Sequence, residues 1–187
     1  MIVNVKKIIE RNLREGDSYE GFIKKLEKLA EEHMRYDSEG LKRQLMHRTW
    51  SEIRQSHIDS WKCEIAVHNM LGTDIYQVFH FNEIDPYDQE VPDGLVMDGA
   101  GKYLAYDVKN LRGGELKVSE RQVKRWWLKF YILCMLIGDE VHIIGYADCE
   151  MMIRGRHFHY PDGTLGLALK PPDKLQSFDE FLRLFKR

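Results

Sequence analysis

The chain of 187 residues has few of the features that mark disulfide-rich, secreted or membrane proteins. Its only cysteines are Cys63, Cys134 and Cys149, which are widely spaced within apolar patterns, so we expect neither a disulfide framework nor a zinc site. No apolar run reaches the roughly 18 residues that a transmembrane helix needs. The segment that starts at Met1 also lacks the apolar core of a secretion signal. These absences predict a cytoplasmic protein with reduced thiols.

The chain also has no strong charge of either sign. Lysine and arginine number 28 against 30 acidic residues, a net charge of −2. A surface that binds nucleic acid must therefore be a local basic patch. Hydrophobic residues make up 43% of the chain, enough for one core. We expect a domain over 56–187, preceded by a helical extension over 1–55.

Residues 1–55 are charged and favour helices. A first helix is predicted over 3–14, ending at Gly16, and a second begins near Ser18 with Phe22, Leu26 and Leu29 at helical spacing. A third follows residue 37. This extension is expected to cover one edge of the core, with dimerisation or clamping of DNA as the alternatives.

Residues 91–110 read as a β-hairpin, because two apolar runs flank a glycine-rich turn at 98–102. If Met97 pairs with Tyr103, the paired positions sum to 200 and Asp93 lies opposite Asp107. Lys109 lies two residues beyond Asp107 and therefore projects from the same face of the strand.

Two carboxylates placed opposite each other repel, since the Cβ atoms of such a pair are only about 4.5–5.5 Å apart. A divalent cation between them removes the conflict, and Mg²⁺ suits a site with one or two carboxylates. The carbonyl of Val108 offers one more oxygen. An amine such as that of Lys109 can hold a water or neutralise charge on a phosphate. This pattern predicts a site for phosphodiester hydrolysis, with a solvated, purely structural hairpin as the alternative.

Pro92-Asp93, thirteen intervening residues, and Asp107-Val108-Lys109 also resemble the signature of the PD-(D/E)XK nuclease superfamily. The resemblance covers about residues 57–147. It implies metal-dependent cleavage of nucleic acid with Mg²⁺, for which Mn²⁺ can substitute, and products with 5′-phosphate and 3′-hydroxyl ends. Asp107 stands where many relatives carry Glu, and its shorter side chain changes the distance to a metal.

The resemblance also implies an α/β (α+β) fold with a restriction-endonuclease-like core: a helix, a three-strand meander, a helix and a strand, in a mixed sheet flanked by helices. The sequence assigns these elements in turn to a helix over 57–71, a first strand over 74–81, the hairpin, a helix over 119–137 and a strand over 140–147. A final helix is predicted from residue 178.

Two further residues enter the predicted catalytic site through the resemblance. Glu64 lies at the edge of the apolar stripe of the helix over 57–71, where the family carries a Glu that reaches a metal ion or its waters. A peripheral Glu paired with Lys62 or His68 is the alternative. Gln122 matches a glutamine that some branches carry near the catalytic lysine.

Basic residues collect after the hairpin. On the helix predicted over 119–137 they gather on one face, and no acid occurs between 121 and 138. This pattern suits contact with phosphates, although a plain solvated face would look the same. The candidate nucleic-acid-binding residues are Arg112, Lys117, Arg121, Lys124 and Arg125.

Together these patterns predict a Mg²⁺-dependent endonuclease that acts on DNA. A junction resolvase working as a homodimer is an alternative within the same class. A non-catalytic nucleic-acid-binding relative of the fold and an assembly protein built on the N-terminal helices are the other two.

Overall fold

The structure, a computed structural model, describes residues 1–36, 38–84, 91–111, 115–125, 128–160, 163–170 and 175–185. It is a mixed α/β protein whose chain divides into two compact units. One is helical and spans Asn4–Val91, and the other combines Met1–Val3 with Pro92–Arg187 and holds the sheets. The domain boundary predicted after residue 55 falls inside a helix of the first unit.

The helical unit confirms the three helices predicted before residue 55. Asn4 caps the first of them, because its side chain accepts a hydrogen bond from the Lys7 N–H at 2.9 Å. The second buries Phe22, Leu26 and Leu29, the stripe expected from helical spacing. The helices of this unit are α1 (Val5–Asn12), α2 (Tyr19–Tyr36), α3 (Ser38–Leu45), α4 (Trp50–Leu71) and α5 (Gln77–Ile84).

Helix α4 ends where predicted but starts earlier. Gly72 closes it in the left-handed conformation, with φ of 72°. Its start is set by a capping box in which Thr49 and Glu52 bond each other's backbone N–H groups. Ser56, the residue just before the predicted start at 57, lies inside the helix, where its carbonyl accepts the Ser60 hydroxyl at 3.0 Å.

The strand predicted over 74–81 is wrong, since this segment is a turn followed by α5. Asp74 starts the turn by accepting the Tyr76 N–H at 2.9 Å. Tyr76 and Phe79 then both pack edge-on against Phe22, at centroid distances of 5.3 and 5.2 Å. Residues three apart share a face on a helix, so this packing overrides the β-propensity of the segment.

The second unit contains two sheets. The strands are β1 (Ile2–Asn4), β2 (Gly94–Met97), β3 (Tyr103–Asn110), β4 (Leu116–Ser119), β5 (Leu128–Ile137), β6 (Glu140–Asp148), β7 (Arg156–His159) and β8 (Leu165–Leu169). In the five-stranded sheet the order is β1-β6-β5-β3-β2, and in the three-stranded sheet it is β4-β8-β7. Strands β2 and β3 form the predicted hairpin, β3 runs parallel to β5, and β5 runs antiparallel to β6. The predicted three-strand meander is wrong, because its first strand, over 74–81, is a turn and a helix.

The helix predicted over 119–137 is also wrong. Its capping box is real, but the helix that it starts, α6 (Glu120–Val123), ends after one turn, and 128–137 forms strand β5. An apolar run that is buried on both faces has no period that separates helix from strand. The predicted basic face of a long helix consequently does not exist. The strand predicted over 140–147 is confirmed as β6, which lies between β1 and β5.

The two faces of the five-stranded sheet have different partners. One face carries Tyr106, Phe130 and Tyr146, whose rings pack against Phe181 of the predicted final helix, α8 (Phe178–Phe185). The opposite face joins an apolar cluster with side chains of β4, β8, α6 and α7 (Cys149–Ile153), formed by Leu116, Val118, Val123, Leu128, Tyr131, Leu133, Ala147, Met152, Leu167 and Leu169.

Cys63, Cys134 and Cys149 are free thiols. Within the described ranges, no helix combines the length and the hydropathy that crossing a bilayer requires.

Candidate metal centre

The β2–β3 hairpin has the predicted register. Gly94 pairs with Tyr106 and Met97 with Tyr103, so the paired positions sum to 200. The turn is closed by Asp98, whose carboxylate accepts the N–H groups of Ala100 and Lys102, each at 2.9 Å. One residue beyond the last pair, this register brings Asp93 to the level of Asp107.

Asp93 is half-buried and anchored to the neighbouring strand, since its Oδ2 accepts the Val108 N–H at 2.6 Å. Burial raises the pKa of Asp93 to about 7, with the negative charge of Asp107 as the second cause. The positive charges of Lys109 and Arg125 and the bond from Val108 oppose the rise in pKa. The two carboxylates thus interact directly enough to disfavour double ionisation.

Asp107 is 2% exposed and its two oxygens have different surroundings. Oδ2 lies 3.3 Å from the Lys109 Nζ, which confirms that these side chains share one face of β3. Oδ1 is buried and has no hydrogen-bond partner in the part of the chain that the structure describes. A buried carboxylate oxygen without a partner is costly, so this atom is suited to binding a cation or a polar group.

The backbone at Val108 adds a third oxygen to this side of the hairpin. The N–H and C=O of one strand residue point to the same lateral edge of the strand. Because the Val108 N–H points to Asp93, its carbonyl is directed to that edge as well, away from β5.

The residues present fit a magnesium ion. In the described ranges no group of three or more His, Cys, Asp or Glu side chains is placed to hold a metal. Mg²⁺ does not need such a group, because it is usually bound through one or two carboxylates and keeps several waters. Two close carboxylates that repel each other, an unpartnered Oδ1 and a backbone carbonyl form a donor set of that kind.

Glu64 and Gln122 are the two site residues that the resemblance added. Glu64 lies on α4 in the helical unit, where it is 5% exposed, and its role at a second ion stays a prediction. Gln122 occupies the third position of α6, and its Oε1 accepts the Ser119 N–H at 3.1 Å. Its side-chain oxygen therefore serves the helix cap.

The basic candidates have separate positions instead of one helix face. Lys117 on β4 pairs with Glu115 at 3.5 Å, and Lys124 pairs with Glu120 at 2.9 Å. Arg121 is exposed, whereas Arg125 is half-buried. Arg112 lies outside the described residues. Part of the predicted phosphate-binding charge is thus already matched by acids.

Sequence reasoning missed Tyr131 as a neighbour of Asp107, and it assigned Arg125 to contact with DNA instead of to the two carboxylates. Tyr131 pairs with Asp107 across the β3–β5 ladder, and Arg125 carries charge close enough to lower the pKa of both Asp93 and Tyr131. Assigning 119–137 to one helix hid Tyr131, because only the strand β5 places it beside Asp107. No local signal in the sequence indicates a parallel pairing between two distant segments.

Searches with the sequence and the structure found no matching family model, no matching curated protein and no matching solved structure.

Proposed function

We propose that this protein is a Mg²⁺-dependent nuclease that hydrolyses phosphodiester bonds of DNA. The observation that carries the proposal is the convergence of Asp93, Asp107 and Lys109 on one side of the hairpin. The motif resemblance supports the proposal, since these are the residues that it assigns to catalysis.

In this proposal Asp93, Asp107 and the carbonyl of Val108 would hold the ion. When bound, Mg²⁺ polarises a phosphate oxygen and lowers the pKa of a coordinated water. Asp93 must be ionised to bind a cation, and its raised pKa means that proton and metal compete for it near neutral pH.

Lys109 has a separate task. Its ammonium, 3.3 Å from Asp107 and 27% exposed, is held by the carboxylate yet accessible to a substrate. From there it would position the attacking water and offset negative charge that develops on the phosphorus centre. Attack by water then leaves 5′-phosphate and 3′-hydroxyl ends. The exposed Arg121 and the side chain of Lys117 would contact the DNA backbone and contribute affinity without sequence selectivity.

In this proposal the protein is an endonuclease of the cytoplasm, where its three free thiols would stay reduced. A homodimer would let it cut both strands in one encounter. Preference for branched DNA would assign it instead to the junction resolvases.

The test is cleavage of plasmid, linear, single-stranded and branched DNA with Mg²⁺, Mn²⁺ or EDTA. Wild-type protein is expected to cut with either metal, and Lys109→Ala to bind DNA and keep its circular dichroism spectrum while losing cleavage. Lys102→Ala is the matched control, because this exposed lysine lies in the turn of the same hairpin.

Equal cutting by Lys109→Ala and wild type would remove Lys109 from the mechanism. DNA binding by wild type without cleavage under any metal condition would favour the non-catalytic relative of the fold. The assembly protein would be favoured if wild type neither binds nor cuts DNA and if deleting 1–55 abolishes binding of a protein partner.

A further inference from the structure

Tyr131 is a polar residue in an apolar place. It lies on β5 with no exposed surface, among Leu116, Val118 and the other side chains of the cluster between the two sheets. Its hydroxyl is buried and, over the described residues, has no hydrogen-bond partner. A phenylalanine would fill the same space without burying an unpaired hydroxyl. A tyrosine at this position therefore indicates that its hydroxyl has a hydrogen-bond partner.

A suitable partner is the unpartnered oxygen of Asp107. Tyr131 and Asp107 are paired in the parallel β3–β5 ladder, and paired residues on neighbouring strands project from the same face. Both Tyr131 Oη and Asp107 Oδ1 are buried atoms without a hydrogen bond in the described structure. The electrostatics agree, since Asp107 is among the charges that raise the pKa of Tyr131.

The protonation state of Tyr131 decides which group donates the hydrogen bond. Burial raises the pKa of Tyr131 far above its ordinary value, and the charge of Asp107 adds to it. A tyrosine hydroxyl is protonated at physiological pH in any case, because its ordinary pKa is about 10, so the phenol is a hydrogen-bond donor. The donor faces a carboxylate that can only accept.

We propose that Tyr131 is a positioning residue for Asp107, its hydroxyl donating to a buried water that in turn donates to Asp107 Oδ1. Buried waters typically bridge polar groups that are otherwise unsatisfied. The bridge orients the carboxylate, while the second lone pair of Oδ1 and the nearby Asp93 remain available to a cation. This inference rests on the proposed function, because it concerns how one of the proposed magnesium ligands is held.

The decisive variant is Tyr131→Phe, which removes the hydroxyl and keeps the ring. Hydrogen bonds to metal-ligating carboxylates typically change metal affinity by about 10- to 100-fold. We expect Tyr131→Phe to bind Mn²⁺ about 10- to 100-fold more weakly than wild type in calorimetric titrations without DNA. In EDTA the variant should still fold, with the far-UV circular dichroism spectrum of wild type.

Tyr146→Phe is the matched control. Tyr146 is also buried, but it lies on β6 on the opposite sheet face, against Phe130 and Phe181. Its variant should bind Mn²⁺ as wild type does. If removing a tyrosine hydroxyl had only a structural effect, Tyr131→Phe and Tyr146→Phe would bind Mn²⁺ with the same affinity.

The outcomes separate this inference from the proposed function. Wild type that binds Mn²⁺, with Tyr131→Phe binding it equally, overturns the inference and leaves the nuclease proposal standing. Wild type that binds no Mn²⁺ overturns both. If Tyr131→Phe fails to fold, a high-resolution structure of wild type decides the question: a water within hydrogen-bond distance of Tyr131 Oη and Asp107 Oδ1 supports the inference, and its absence refutes it.

Discussion

Replacing Asp93 by asparagine should stabilise the metal-free protein, and the gain should grow with pH. Burial and the charge of Asp107 raise the pKa of Asp93 from 3.8 to about 7. A carboxyl group with a higher pKa in the folded than in the unfolded chain binds its proton more tightly when folded. Its ionisation therefore lowers the free energy of unfolding as pH rises from about 4 through about 7.

The size of the effect follows from the same shift in pKa. Each unit corresponds to about 1.4 kcal/mol, so the raised pKa of Asp93 lowers the free energy of unfolding by on the order of 4 kcal/mol at pH 8 and about 2 kcal/mol at pH 5. Asparagine keeps an oxygen for the Val108 N–H but carries no charge. Asp93→Asn should thus exceed wild type in stability by up to about 4 kcal/mol at pH 8, and by about 2 kcal/mol less at pH 5.

The assay is urea denaturation in EDTA at both pH values, followed by far-UV circular dichroism. Glu140→Gln, at an exposed position of β6, serves as the control for loss of one negative charge. Added Mg²⁺ at 100 times its dissociation constant should stabilise wild type by about 2.7 kcal/mol and leave Asp93→Asn unchanged. A variant that is no more stable than wild type at pH 8, or a gain that does not depend on pH, would refute the electrostatic reasoning.

Two further predictions concern positions outside the proposed ligands. His68 is fully buried, and burial lowers its pKa to about 4. Below about pH 6.5 the same histidine becomes protonated in the unfolded chain but not in the folded protein. Wild type should therefore lose about 3 kcal/mol of stability between pH 7.5 and 4. His68→Gln should abolish most of that difference in urea denaturation, and an unchanged pH profile would contradict the assignment. Gly94→Ala should lower the free energy of unfolding by about 1–3 kcal/mol, because a Cβ there would meet the ring and hydroxyl of the buried Tyr106. Gly99→Ala, in the exposed hairpin turn, should cost much less, and equal losses would show that the contact with Tyr106 is unimportant.

Local signals account for the parts of the fold that were predicted correctly. The register of the β2–β3 hairpin follows from alternation and from a turn that Asp98 closes through its own neighbours. The end of α4 follows from Gly72, and the start of α6 from the Ser119–Gln122 capping box. All these features depend on contacts between residues only a few positions apart, so they can be read from the sequence.

The wrong secondary-structure predictions concern segments whose structure depends on contacts with distant parts of the chain. Residues 74–81 have the composition of a strand, but Phe22 provides a surface on which Tyr76 and Phe79 pack as a turn and helix. Residues 128–137 are apolar except for Lys129, and they form a strand because β3 and β6 flank them and apolar layers cover both faces.

The sequence by itself determined the convergence of Asp93, Asp107 and Lys109, because one hairpin carries all three and its register is local. Only the tertiary structure decided that Tyr131 and Arg125 join them. Their positions depend on the parallel pairing of β3 with β5, which connects segments separated by the intervening β4 and α6. Parallel pairing leaves no turn or spacing signal in the sequence, so the buried surroundings of Asp107 become visible only in the folded chain.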